Sequence, residues 1–126
     1  MREIKFRAWD KKRKSMYKVV YIHFNDHEGA WATVEGNDII EQKTIHIQIQ
    51  PKDIELMQYT GLKDKNGLHD IYEGDICDND GGMIGEVVFH ESAWMFRWRS
   101  GNYYPLGQWV EIIGNKWDNP ELLEPK

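Results

Sequence analysis

Between Leu56 and Asp78 the chain reads LMQYTGLKDKNGLHDIYEGDICD, and bend-forming residues recur there too often for any long regular element to survive. Gly61, Asp64-Lys65-Asn66-Gly67 and Tyr72-Glu73-Gly74-Asp75 follow in quick succession. The Asn-Gly pair signals a turn because both residues tolerate positive φ. Gly74 stands where a type II turn needs φ > 0. Single apolar anchors, Tyr59, Leu62, Ile71 and Ile76, fill the gaps, with Val87 further on. Such a stretch makes short strands joined by tight turns.

The rest of the chain reads in the same way. Ile4, Phe6 and Ala8 alternate with Lys5, Arg7 and Trp9, the period of a half-buried strand. After the polar turn Asp10–Ser15, the run from Met16 to Phe24 completes a β-hairpin with a basic tip. Asn25 to Asp38 reads as a polar connection, broken only by the short strand candidate Trp31-Ala32-Thr33-Val34. Ile45, Ile47 and Ile49 share one face of a strand that Pro51 closes. Asp53 to Tyr59 fits either a short strand or a helical turn. Beyond Gly74 a meander is predicted, with strands at Asp75–Asp78, Met83–His90, Trp94–Trp98 and Trp109–Gly114. Asn119-Pro120 marks the start of one closing helical turn, with Asn as N-cap. No extended amphipathic helix appears, and closure into a small barrel would remove the exposed strand edges.

At 126 residues the chain is one domain or two very small ones. Its 40 % hydrophobic and 13 % aromatic content suffices for a folded core. Six Trp and six Tyr exceed what so small a core can enclose, which points to a partner surface or self-association. A single cysteine, Cys77, excludes an intramolecular disulfide and a cysteine-rich zinc site. No apolar run approaches the roughly 20 residues of a membrane span, and none resembles a signal peptide, so the cytoplasm is the expected compartment and no membrane partner is expected.

The net charge of −5 hides an asymmetry. Met1 to Lys18 carries eight Lys and Arg against two acids, while the remainder carries eight against nineteen. A basic start on an acidic body suits a solvated hairpin, head-to-tail attraction between subunits, or a nucleic-acid arm.

MREIKFRAWD at the start, QYTGLKDKNG (58–67), IYEGDI (71–76) and EIIGNKWDNPELL (111–123) together resemble the YopX-like proteins of phages and prophages. The blocks lie in order and span nearly the whole chain, and the stretch 31–40 carries no block that can be matched, as an insertion or variable loop would. The resemblance implies an SH3-like small β-barrel in the C-terminal part, a bacterial host cell, and a family of uncharacterised function with no catalytic residues to carry over. The expected architecture is therefore mainly β. An N-terminal β-hairpin and strand region (1–55) packs on an SH3-like barrel (56–126), with one compact unit as the alternative.

The residues give little support to an enzyme. His23 and His27 would share a face on a helix, as metal-binding pairs do, but they fall in a strand and a loop. Asp64, Asp70, Glu73, Asp75, Asp78 and Asp80 could converge on a hard cation, although acids are also simply good turn residues. Cys77 follows Ile76 in a strand, where it suits filler better than a nucleophile. No phosphate-cradling glycine loop is present, and no catalytic, metal or cofactor residue is assigned.

Two clusters are candidate interaction surfaces. Lys11, Lys12, Arg13 and Lys14 form the basic tip. In the strand near Trp94, the rings of Trp94, Phe96 and Trp98 alternate with Met95, Arg97 and Arg99. The rings could be an aromatic platform flanked by cations, or a barrel's inner face with Arg97 and Arg99 solvated outside. The expectation is a non-enzymatic interaction or assembly module that forms a homo-oligomer or binds a host or phage protein. A nucleic-acid-binding barrel is the alternative, and a metal-dependent enzyme using the acidic loops comes last.

Overall fold

The computed structural model describes residues 3–38, 41–79 and 81–124. Asp80, one of the acids singled out above, lies outside them. The described residues contain eleven strands, two short 3-10 turns and no α-helix. They fall into two compact units, Lys5–Met57 and the residues from Gln58 onward joined by Glu3 and Ile4.

The first unit is an antiparallel meander. It comprises β1 (Phe6–Asp10), β2 (Ser15–Asn25), β3 (Gly29–Asp38) and β4 (Lys43–Ile49), with β4 at the sheet's edge. A 3-10 turn at Pro51–Asp53 follows, and β5 (Ile54–Lys63) starts here beside β1 and continues into the second unit. Ala8, Ala32, Val34, Ile49 and Ile54 form its core, with Tyr17, Val19, Ile47 and Leu56 packed on them. The alternation read along the chain places these side chains on one face.

β1 departs from that alternation at its end, where Ala8, Trp9 and Asp10 are all buried. β3 departs more. The polar connection expected at Asn25–Asp38 is largely a ten-residue strand, Gly29–Asp38. Glu35, Gly36, Asn37 and Asp38 are poor strand formers by themselves. They are held extended by pairing with β2 on one side (Lys18 opposite Glu35) and β4 on the other (Asp38 opposite Lys43).

In the second unit, β5 pairs with β6 (Asp70–Tyr72), matching Tyr59 with Tyr72 and Lys63 with Asp70. A five-stranded antiparallel sheet follows, in the order β10 (Tyr103–Pro105), β9 (Ala93–Trp98), β8 (Met83–His90), β7 (Asp75–Asn79), β11 (Val110–Asn115). Ile71 packs into one core with Cys77, Val87, Phe96 and Val110, and Leu62, Met83, Trp94, Leu106 and Ile112 pack around it. The anchors expected beneath the turns are in place: Tyr59, Ile71, Ile76 and Val87 are buried and Leu62 is half-buried. Cys77 is buried within this core and forms no disulfide.

The expected closed barrel is not found. Among the described residues β10 and β11 are the outer strands of an open sheet, and β4 and β6 end the other sheet. The core is sealed by laying the β5–β6 hairpin's Ile71 and Leu62 on the sheet rather than by joining its edges.

Turn chemistry follows the sequence at Gly74, whose φ of +87° suits the type II turn read there. It differs at Asn66-Gly67, where only Gly67 takes positive φ. Gly67 N–H donates to the Asp64 carbonyl at 2.8 Å, so the turn spans Asp64–Gly67 and Gly67 occupies its last position. The C-terminal turn differs too. It is a 3-10 turn, Pro120–Leu123, and the Asn119 side chain does not cap it. Asn119 Oδ1 instead accepts from Asn115 N–H at 3.2 Å. A Cβ on Gly114 would stand 2.5 Å from that oxygen, so this glycine is required by close approach.

Candidate functional site

The basic tip is built around one buried carboxylate. Asp10 has no solvent exposure. Its Oδ1 accepts the backbone N–H groups of Lys12 at 2.9 Å and Arg13 at 3.1 Å. Its Oδ2 accepts Arg13 Nη1 at 2.7 Å. Its main-chain carbonyl accepts Lys14 N–H at 2.8 Å, with Lys14 left-handed at φ 57°. Burial works against the charge on Asp10, but the hydrogen bonds from Arg13 and Lys12 and the guanidinium's charge outweigh it. The carboxyl is held below the usual aspartate range. The same pairing raises the Arg13 guanidinium above its ordinary value.

The four cations therefore sit on a turn of fixed shape and have different duties. Arg13 is committed in part to Asp10. Lys11 pairs with Glu55 at 3.2 Å, and its N–H donates to the Asp53 carbonyl at 2.8 Å. Lys12 and Lys14 have no ion-pair partner among the described residues. Asp10 was not singled out by the sequence reading, yet an acid opening a turn and bonding amides two and three residues on is an ordinary Asx pattern.

Beside this turn lies a cavity of about 220 Å³, lined by Lys12, Arg13, Trp31, Gln48, Gln50 and Asp53. Trp31 comes from β3 and Gln48 from β4, next to the sheet's edge.

β9 in the second unit divides its aromatic residues. Phe96 is fully buried, and Trp94 packs on the same core and meets Phe89 edge-on at 5.0 Å. Trp98 lies beyond that cluster and, with Arg97, Arg99, Glu86 and Leu123, lines a cavity of about 150 Å³. Strand alternation separates Trp98 from Arg97. They reach one cavity because β9 stops at Trp98, where Gly101 N–H donates to the Trp98 carbonyl at 2.7 Å. Arg97 lies 5.9 Å from the ring of Tyr103, its cross-strand neighbour, which in turn stacks on His90 at 3.9 Å. Glu86 pairs with Lys116 at 3.7 Å. Lys11–Lys14 and the Arg97–Arg99 cluster belong to different units.

The acidic loops do other work. Asp64 and Asp75 are buried, with Asp64 Oδ1 accepting His69 N–H at 3.4 Å and Asp75 Oδ2 accepting Tyr72 N–H at 2.8 Å. Among the described residues no three His, Cys, Asp or Glu side chains stand where they could hold a metal ion. His23 lies in β2, and His27 follows in a turn, where its N–H donates to Asn25 Oδ1 at 2.9 Å. No helix among the described residues is long and apolar enough to cross a membrane.

Fold and surface thus define an all-β protein of two small units, each with a tryptophan beside cations at an open cavity. Residues 5–124, nearly the whole chain, match the family described as YopX protein, and the chain belongs to that family. A search of curated proteins finds no match.

Proposed function

We propose that this YopX-family chain is a phage- or prophage-encoded, non-enzymatic interaction module of the bacterial cytoplasm that docks an acidic surface on its basic turn, first of all that of a second copy. The locked turn carries the proposal. Asp10 fixes the backbone of Lys11–Lys14, so cations are presented without a large ordering cost on binding. The acidic remainder of the chain supplies a complementary partner. Tyr21 and Phe24 of β2, in the same unit, leave large rings in solvent that association would cover. The order of the second unit's sheet, with β11 returning beside β7, supports reading it as SH3-like though open.

Size-exclusion chromatography with light scattering at low ionic strength tests the assembly. A dimer or larger species that dissociates as salt rises is expected. A monomer at high protein concentration and low salt overturns self-association.

The second reading is nucleic-acid binding. The tryptophan that lines a cavity next to the same cations favours it.

A further inference from the structure

We propose that the cavity beside the basic turn holds one unstacked base of a single-stranded nucleic acid, its ring against Trp31 and the neighbouring phosphate on Lys12 and Arg13. This goes beyond docking of an acidic protein surface, and rests on that reading only in taking the turn as the anion-binding element.

The cavity measures about 220 Å³, room for a single planar group and not for a folded segment. Its polar groups are left with bonds to make. Among the described residues the Lys12 ammonium, the Gln48 amide and the Trp31 indole N–H have no hydrogen-bond partner. Arg13 directs Nη1 at Asp10 and is held there, so the rest of its guanidinium is aimed by a buried carboxylate. Gln50 Nε2 donates to Asp53 Oδ2 at 2.8 Å, which leaves Gln50 Oε1 and Asp53 Oδ1 as acceptors among the lining residues.

That mixture separates the ligand classes. An acidic peptide side chain would use the cations but leave the Trp31 ring, Gln50 Oε1 and Asp53 Oδ1 without a partner. A base presents ring N–H or amino donors that Asp53 Oδ1 and Gln50 Oε1 can accept, and acceptors for the Gln48 amide. It also presents a flat face for the indole, and stacking of this kind is the usual basis of single-strand binding. Lys12 and Arg13 then meet the phosphate that any such base carries.

The test compares fluorescence anisotropy of a short labelled single-stranded DNA with that of an abasic strand of equal length and charge, at low salt. The base-bearing strand is expected to bind roughly tenfold tighter or more. Trp31→Ala should erase that difference, while Trp31→Phe keeps most of it and guards against a folding defect. Gln48→Ala, at an exposed position, should weaken the base-bearing strand alone. Equal binding of the two strands overturns the base pocket and leaves the docking turn standing. No binding of either strand overturns the pocket and removes phosphate from the turn's ligands, a result that light scattering then separates from loss of the turn's role altogether.

Discussion

Asp10 shows how far a single residue can set a surface. Its carboxylate is out of solvent yet satisfied by two backbone amides and a guanidinium. Charge-assisted hydrogen bonds of this kind contribute more than neutral ones. Asp10→Ala is expected to cost about 2 kcal/mol of stability, because the Lys12 and Arg13 amides lose their acceptor. Urea unfolding at neutral pH measures it. The sign of the pH effect follows from the lowered carboxyl pKa. Asp10's contribution is complete above the ordinary aspartate value of 3.8 and fades as pH falls below it through the lowered native value. The gap between native protein and Asp10→Ala should therefore narrow in acid. A gap that stays constant down to the acid transition would contradict the assignment. In the sequence, four adjacent cations drew attention away from the acid that orders them. The apolar anchors were easier to read, because Ile71 and Ile76 are single apolar side chains set between turn residues and need no partner to be recognised. Asn66 misled for a local reason: tolerance of positive φ does not require it, and Asp64's carbonyl chose the other turn.

At the scale of elements, hairpin ends decide what was legible. The meander from β7 to β9 was readable because Gly82, at φ +77°, and the Asn79 side chain close the first turn in the expected place. The next turn is unusual. His90 pairs with Ala93 across Glu91 and Ser92, both left-handed at φ 49° and 66°. Two-residue hairpins favour Asn-Gly because each ordinary side chain held left-handed costs roughly 1–2 kcal/mol. Replacing Glu91-Ser92 by Asn-Gly should stabilise the protein by about 1 kcal/mol, seen as a rise of a few degrees in Tm. No rise, or a fall, would mean that the native side chains make compensating contacts. β3 escaped the sequence for the opposite reason. Its polar half has no strand signal of its own and is extended only because β2 and β4 flank it. The Trp94–Trp98 pattern was read correctly as alternation, but the end of β9 at Trp98, which brings that ring and both arginines to one cavity, depends on a turn beyond it.

Across the whole molecule, alternation and frequent turns announced a mainly β protein, and family membership over residues 5–124 agrees with the ordered blocks seen in the sequence. Closure was not legible. Periodicity reports which face a residue occupies, whereas closing a sheet depends on which strands meet at its edges, and these sheets end at β4, β6, β10 and β11. Open edges and charge asymmetry are the whole-molecule features on which the proposed docking draws. Docking by the locked basic turn, as proposed, is tested most directly by the association constant measured by sedimentation equilibrium over a salt series. Native protein should associate at low salt and weaken steadily as salt rises, while the Lys11→Glu, Lys12→Glu, Lys14→Glu variant should associate weakly with little dependence on salt. Equal association constants for the two proteins at every salt concentration would contradict the claim.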